Sequence, residues 1–356
     1  MTSSARRVFE HALSLERAGD GEAALAAYLE ALDLAPDDVD IAYRTATALL
    51  RAGMLDEAVS QLRRIVFAEP AHTAARANLG NCQLLLGDLA NAELNFQEVL
   101  AGAPDNHNAL YGLATVRVQQ DKPEEALAPA QRLIELLPDN APAQTLYAQS
   151  RARDPQPSAA IAAFRKAIHI DPAYVPALTG LAEVLIRARR FPEAIALAEE
   201  ATALQPANAD TYRILAAAHL AAGDFSIARD ILVKALSLGP GDVETLNRLS
   251  VASRKLEDYP AALLHAWQAH RKQPDNKDAG NALGSALAAL GHPKDAKAVL
   301  TAIARKRRLE KEVESRISTL CAEIELQERS GALMPEPEPA GAEASSSNSE
   351  ERDATD

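Results

Sequence analysis

Catalysis and metal binding need particular side chains at particular spacings, and this chain supplies few of them. Its eight histidines include no pair at i and i+3 or i+4, the spacing that puts two imidazoles on one helix face for a metal. Two cysteines, Cys82 and Cys321, are too few for a zinc cluster or a disulfide framework. No glycine-rich loop of the phosphate-cradling kind is present, and no serine sits in a nucleophile elbow. The expectation is therefore a non-enzymatic chain with no catalytic residue, no metal and no cofactor. Its chemistry then lies in side chains that recognise other molecules without making bonds, and the question becomes which elements present them.

Composition limits those elements. Of the 356 residues 47% are apolar, 24% charged and 4% aromatic, and the formal net charge is -13. The apolar fraction excludes a wholly disordered chain, and no apolar run reaches the length of a membrane span. Net acidity argues against nucleic acid or an anionic membrane as the main partner. Abundant Ala with scarce aromatic and β-branched residues favours helix over sheet. The Arg6-Arg7 pair has the look of an export signal, but Glu10, His11, Glu16 and Arg17 interrupt the apolar segment it would require. With the low cysteine count, this reads as a cytoplasmic, bacterial-type protein.

A strict period organises the chain. Pro36, Pro70, Pro104, Pro138, Pro172, Pro206, Pro240 and Pro274 are each 34 residues from the next. With this Pro at position 32 of a unit, position 20 is Ala in all nine units, from Ala24 to Ala296. Position 8 is always Ala, Ser or Gly, and position 15 is Gly19, Gly53, Gly87, Gly223 and Gly291 in five units. The units run 5–38, 39–72, 73–106, 107–140, 141–174, 175–208, 209–242, 243–276 and 277–310, after an N-terminal extension of residues 1–4. Each holds two apolar-periodic segments, A and B, long enough for helices of three or four turns. Small residues at 8 and 20 let the two backbones approach, Gly at 15 ends helix A, and the position-32 Pro stops helix B. Such a pair cannot bury its apolar face alone and must stack on its neighbours.

This pattern resembles the tetratricopeptide repeat family, and Gly80, Gly87, Ala92, Phe96, Leu100 and Pro104 show it in one stretch. The resemblance implies an all-α, right-handed superhelical solenoid of antiparallel helix pairs, with helix A lining a concave groove that binds protein segments. Carried over to the family's ligand-facing positions, it implies an amide-rich floor of Asn78, Asn81, Asn108, Tyr111, Thr115, Gln119, Thr145 and Gln149. Arg44 and Arg51 flank that floor on one side, and Arg187, Arg213, Arg248 and Arg254 on the other, where they would select acidic side chains. Amides donate to and accept from a peptide backbone together, which suits extended, loosely specified segments. The carboxylate clamp of the family's chaperone-tail binders is absent, since Asn78 alone matches it. Asn78-Leu79-Gly80-Asn81 matches the substrate-presenting arm of protein O-glycosyltransferases once, without a ladder of repeats. Trp267 is either an exposed interaction anchor or packed against the next helix.

The departures carry expectations too. Pro129 lies inside a B segment, and Pro155 and Pro157 replace the usual turn of unit five, giving either a local bend or a hinge. With no Gly or Pro between Pro293 and Gly331, a helix is expected to run on through Arg329, with Leu309, Val313, Ile317, Leu320 and Ile324 on one stripe. Over 305–330 it either caps the array or forms a weak homo-oligomer, which Cys321 could cross-link. The run Arg305-Lys306-Arg307-Arg308 reads as a solvated helix face, because Glu310, Glu312 and Glu314 follow at once. Residues 331–356 read as a disordered acidic tail, solubilising or folded back on the groove. The function expected is a protein-binding adaptor. The alternatives are a substrate-presenting subunit for a separately encoded glycosyltransferase or sulfotransferase, and a structural oligomer.

Overall fold

A computed structural model describes residues 3–330 apart from Pro240, and for Glu328 its backbone alone. The acidic segment 331–356 and one proline of the 34-residue series lie outside the described residues. Within these residues every regular element is an α-helix. They are α1 (Ser3–Ala18), α2 (Gly21–Leu34), α3 (Val39–Arg51), α4 (Leu55–Ala68), α5 (Thr73–Leu85), α6 (Leu89–Gly102), α7 (His107–Gln119), α8 (Pro123–Leu136), α9 (Ala141–Ser150) and α10 (Ser158–Ile170). There follow α11 (Val175–Arg187), α12 (Phe191–Leu204), α13 (Ala209–Ala222), α14 (Phe225–Leu238), α15 (Val243–Lys255), α16 (Tyr259–Lys272), α17 (Lys277–Ala289), α18 (Pro293–Ala304) and α19 (Lys311–Ser330). Two compact units divide the chain, residues 1–204 and 205–356.

Each odd-numbered helix up to α17 pairs with the helix after it, and in each unit the pairs stack into a layered array. The seam between paired helices is built from the small residues. Every position-20 Ala is buried, and position 8 is buried from Ala12 to Gly284. Where position 8 is Gly, a side chain of the paired helix uses the space: a Cβ on Gly80 would lie 2.8 Å from Cε1 of Phe96, which also presses on Gly112 of the next pair, and one on Gly284 would lie 2.7 Å from Cγ of Leu300. Phe164 sits the same way on Gly180, 2.6 Å from where its Cβ would be.

One hydrogen-bond pattern ends the A helices. The position-15 N–H bonds the carbonyl three residues back, and the next N–H bonds the carbonyl five back, as in Gly53 to Leu50 (3.1 Å) and Met54 to Leu49 (3.0 Å). This is the Schellman closure, and it requires a left-handed residue. The five glycines adopt it with φ of 76° to 96°, and Asp121, Arg189 and Glu257 occupy the same position with φ of 64°, 60° and 63°. Unit five lacks it, because Pro155 has no N–H to give and a fixed negative φ. Its helix α9 is accordingly ten residues long, and a turn over 151–157 leads to α10. Starts are capped as regularly: Asp38, Asn106, Asn140, Asn208, Asp242 and Asn276, each at position 34, accept the first free N–H groups of the following helix.

The single helix expected from Pro293 through Arg329 is two helices. Lys306 is left-handed (φ 52°), with Lys306 N–H on the Ile303 carbonyl (3.1 Å) and Arg307 N–H on that of Ala302 (2.9 Å). The same closure thus ends α18 without a glycine. The reversal lets α19 lie against α16 and α18 and bury Val313, Ile317, Cys321 and Ile324 with Trp267, Leu283 and Leu287. Cys321 takes the stripe position expected of Leu320, which is only partly buried. Trp267 is 6% exposed, so it is a core residue and no surface anchor. Position 25 faces outward on an ordinary B helix, but here α19 covers it.

Candidate functional site

In both units the A helices approach each other along the array, α3 with α5, α5 with α7, α7 with α9 and α9 with α11, then α13 with α15 and α15 with α17. Successive B helices make no comparable approach. A stack tighter on its A side is concave on that side, and the outward face of the A helices is the candidate site.

In residues 1–204 the amide floor is partly engaged. The Asn78 amide donates to the Tyr43 hydroxyl (3.3 Å), and Thr115 turns its hydroxyl to the Tyr111 carbonyl of its own helix (2.8 Å). Asn81 and Gln149 are half-buried, whereas Asn108 and Gln119 are exposed. Tyr111 is 39% exposed, and the Tyr174 phenol is pushed up to about 12 by burial first and then by Tyr111. Thr145 does not line the surface: it is 3% exposed, and its hydroxyl oxygen has no partner. Helix α9 buries seven of its ten residues among α7, α8, α10 and α11, which closes the face that is open in its neighbours.

The flanking arginines are mostly spent within the molecule. Arg51 pairs with Glu16, Arg44 lies 4.0 Å from the same carboxylate, and the Tyr28 hydroxyl donates to it at 2.5 Å. The Tyr28 bond, then Arg51, holds the Glu16 carboxyl below its ordinary range. Arg187 donates to the Ala152 carbonyl (3.1 Å). Arg213 pairs with Asp210 and, at 2.9 Å, with Asp242. Arg248 pairs with Glu244 and donates to the Arg213 carbonyl (3.0 Å). These arginines therefore offer less free charge than their number suggests.

Arg254 differs. It pairs with no carboxylate among the described residues, and it lines a pocket of about 600 Å³ between α13, α15 and α17. With it stand Asn247 and Asn281, both at position 5 of their units, then Asn276, Ser285, Val251, the already paired Arg248 and two acids, Glu244 and Asp278. The side-chain carbonyl oxygen of Asn247 is buried without a hydrogen-bond partner. Sequence reasoning found Arg248 and Arg254 but passed over the amides. The signal was there: Asn247 and Asn281 are 34 residues apart, as a ladder of identical rungs demands. Among the described residues no cluster of His, Cys, Asp or Glu could hold a metal ion, and no helix is long and apolar enough to cross a membrane. Burial raises the thiols of Cys82 and Cys321 to about 11 and about 12, so neither is a nucleophile near neutral pH.

Tetratricopeptide repeat models match residues 9–68 and 43–107, and a second such model matches 83–150, 154–202 and 185–252, together well over half of the chain. The chain belongs to the tetratricopeptide repeat family. No curated protein matches this repeat protein. Among solved structures, a tetratricopeptide repeat protein from Parabacteroides merdae is 17% identical, with a TM-score of 0.59 over 70% of this chain and 98% of its own. TTC0263, a thermophilic repeat protein in Thermus thermophilus, is 21% identical over 51% of this chain and 98% of its own, with a TM-score of 0.46. YrrB, described as having an unusual peptide-binding site, is 20% identical over 50% of this chain and 92% of its own, at 0.42. The repeat fold is that of a scaffold for protein–protein interaction.

Proposed function

We propose that this chain is a non-enzymatic adaptor that holds an extended segment of a partner protein against its A helices, with the pocket of α13, α15 and α17 as the principal site. What carries the reading is Arg254, a guanidinium with no carboxylate partner among the described residues, in the same pocket of about 600 Å³ as the unpartnered amide oxygen of Asn247. A peptide laid along the rungs would receive backbone hydrogen bonds from Asn247 and Asn281 and would place a carboxylate on Arg254. The floor of residues 1–204, with Asn78, Asn81 and Tyr111 at its centre, offers neutral contacts of the same kind.

The test is a library of acidic and neutral nonapeptides titrated against the full chain, with binding read by fluorescence anisotropy. Arg254→Ala should weaken the acidic ligands by about tenfold and leave the neutral ones alone, as loss of one charge-assisted hydrogen bond requires. Asn247→Ala/Asn281→Ala should weaken both classes. Equal binding by all variants, with helical circular dichroism retained, removes the pocket assignment. Unaltered binding by Asn78→Ala/Asn81→Ala/Tyr111→Ala as well would remove the A-helix surface altogether.

A further inference from the structure

A second surface, away from the A helices, has an unbalanced charge. Where α18 reverses into α19, a pocket of about 350 Å³ is rimmed by Lys294, Lys297, Arg305, Arg307 and Arg308, with Glu310 the one acid in the lining. None of the five cations pairs with a carboxylate among the described residues. The nearby acid Asp295 is already held by Arg316, at 3.1 and 2.6 Å from its Nε and Nη2. The floor is aliphatic, from Ala298, Ala302, Leu309 and Val313. Left-handed Lys306 makes this pocket: it turns the chain so that Arg305 on one side and Arg307 and Arg308 on the other face a common space. Five like charges held together without counter-ions repel one another, and an anionic occupant relieves that cost.

We infer that this pocket is a binding site for an acidic polypeptide, and that its occupant is the chain's own segment 331–356. Charge complementarity is the first argument. The segment holds Glu336, Glu338, Glu343, Glu350, Glu351, Asp353 and Asp356 against the single Arg352. Reach is the second argument. From the end of α19 back to the pocket is roughly 30 Å, at about 1.5 Å per helical residue. Beyond Ser330, Glu338 reaches at most roughly 28 Å at about 3.5 Å per residue and falls short, whereas Glu343 reaches at most roughly 45 Å and every later acid further, so the acids from Glu343 onward span the distance. Covalent linkage also gives the segment an effective concentration that a free partner would have to match. Nucleic acid fits less well, because a longer polyanion would run onto Glu310, Glu312 and Glu314 of a chain whose net charge is already -13.

Zero-length carbodiimide coupling of the full chain, read by mass spectrometry, tests this directly. Lys294 and Lys297 should join to acids of 343–356 within one chain, as shown by mixing isotope-labelled and unlabelled protein. Yield should fall by about tenfold in 0.5 M salt, where the Debye length is about 4 Å. It should fall as far in Arg305→Ala/Arg307→Ala/Arg308→Ala, which keeps both reactive lysines and alters only exposed positions. Absence of these links, an unchanged yield in the triple variant, or links solely between labelled and unlabelled chains would overturn the proposal. So would retention of a dT20 oligonucleotide by the full chain, lost in the triple variant.

Discussion

At position 15 a single backbone angle decides whether helix A can stop, and Asp121, Arg189 and Glu257 adopt the left-handed form despite carrying a Cβ. That form costs an L residue about 1–2 kcal/mol, of which glycine's looser unfolded state returns roughly half. Arg189→Gly and Glu257→Gly should therefore each stabilise the fold by about 0.5–1 kcal/mol in urea denaturation. Arg189→Ala should gain nothing. Gly112 poses the opposite constraint, because the Phe96 ring fills the place of its side chain. Gly112→Ala should destabilise by about 1–3 kcal/mol, as overpacking a filled core does, and Gly112→Ala/Phe96→Leu should recover part of that loss. The conformational demand at 15 was legible from its five glycines. The three residues that meet it without glycine were not, since the demand comes from the turn and only the preference comes from the residue.

Among the elements, α19 departs most from its sequence. Its apolar stripe was readable, but Trp267, the surface it covers, lies some fifty residues earlier on α16. No local pattern reports that contact. Beneath it, His270 stacks on Trp267 with ring centroids 6.1 Å apart and leaves Nδ1 unpartnered, as does His265. Burial holds both imidazoles below their ordinary 6.5, against the opposing pull of Glu314 and Asp275 on His270 and of Asp258 on His265. The unfolded chain therefore takes up protons first as pH falls through about 6.5. Stability is full above that pH and declines below it, by at most about 1.4 kcal/mol per pH unit for each group. Urea titrations followed by the emission of the sole tryptophan should show this decline, and His265→Leu/His270→Leu should flatten it. Trp267→Ala should cost about 3–5 kcal/mol; a loss below 1 kcal/mol would mean that α19 does not seat on it.

Over the whole molecule, stability is a sum of neighbour interactions, since each helix pair contacts chiefly those before and after it. Unfolding followed by hydrogen exchange should proceed in more than one step, with residues 1–204 and 205–330 protected to different degrees. One concerted transition across all amides would contradict that. The 34-residue period, Ala at every position 20 and the recurring turn residues determined the helices, their pairing and the family, because each rule is local or repeats at a fixed interval. Which polar groups remain free to act was decided by the tertiary structure alone. Arg44, Arg51, Arg213 and Arg248 pair with acids, Thr145 is covered, and Arg254 and the pocket before α19 keep their charge. A side chain's availability depends on what the other helices bring within about 4 Å of it, and a linear pattern does not record that distance.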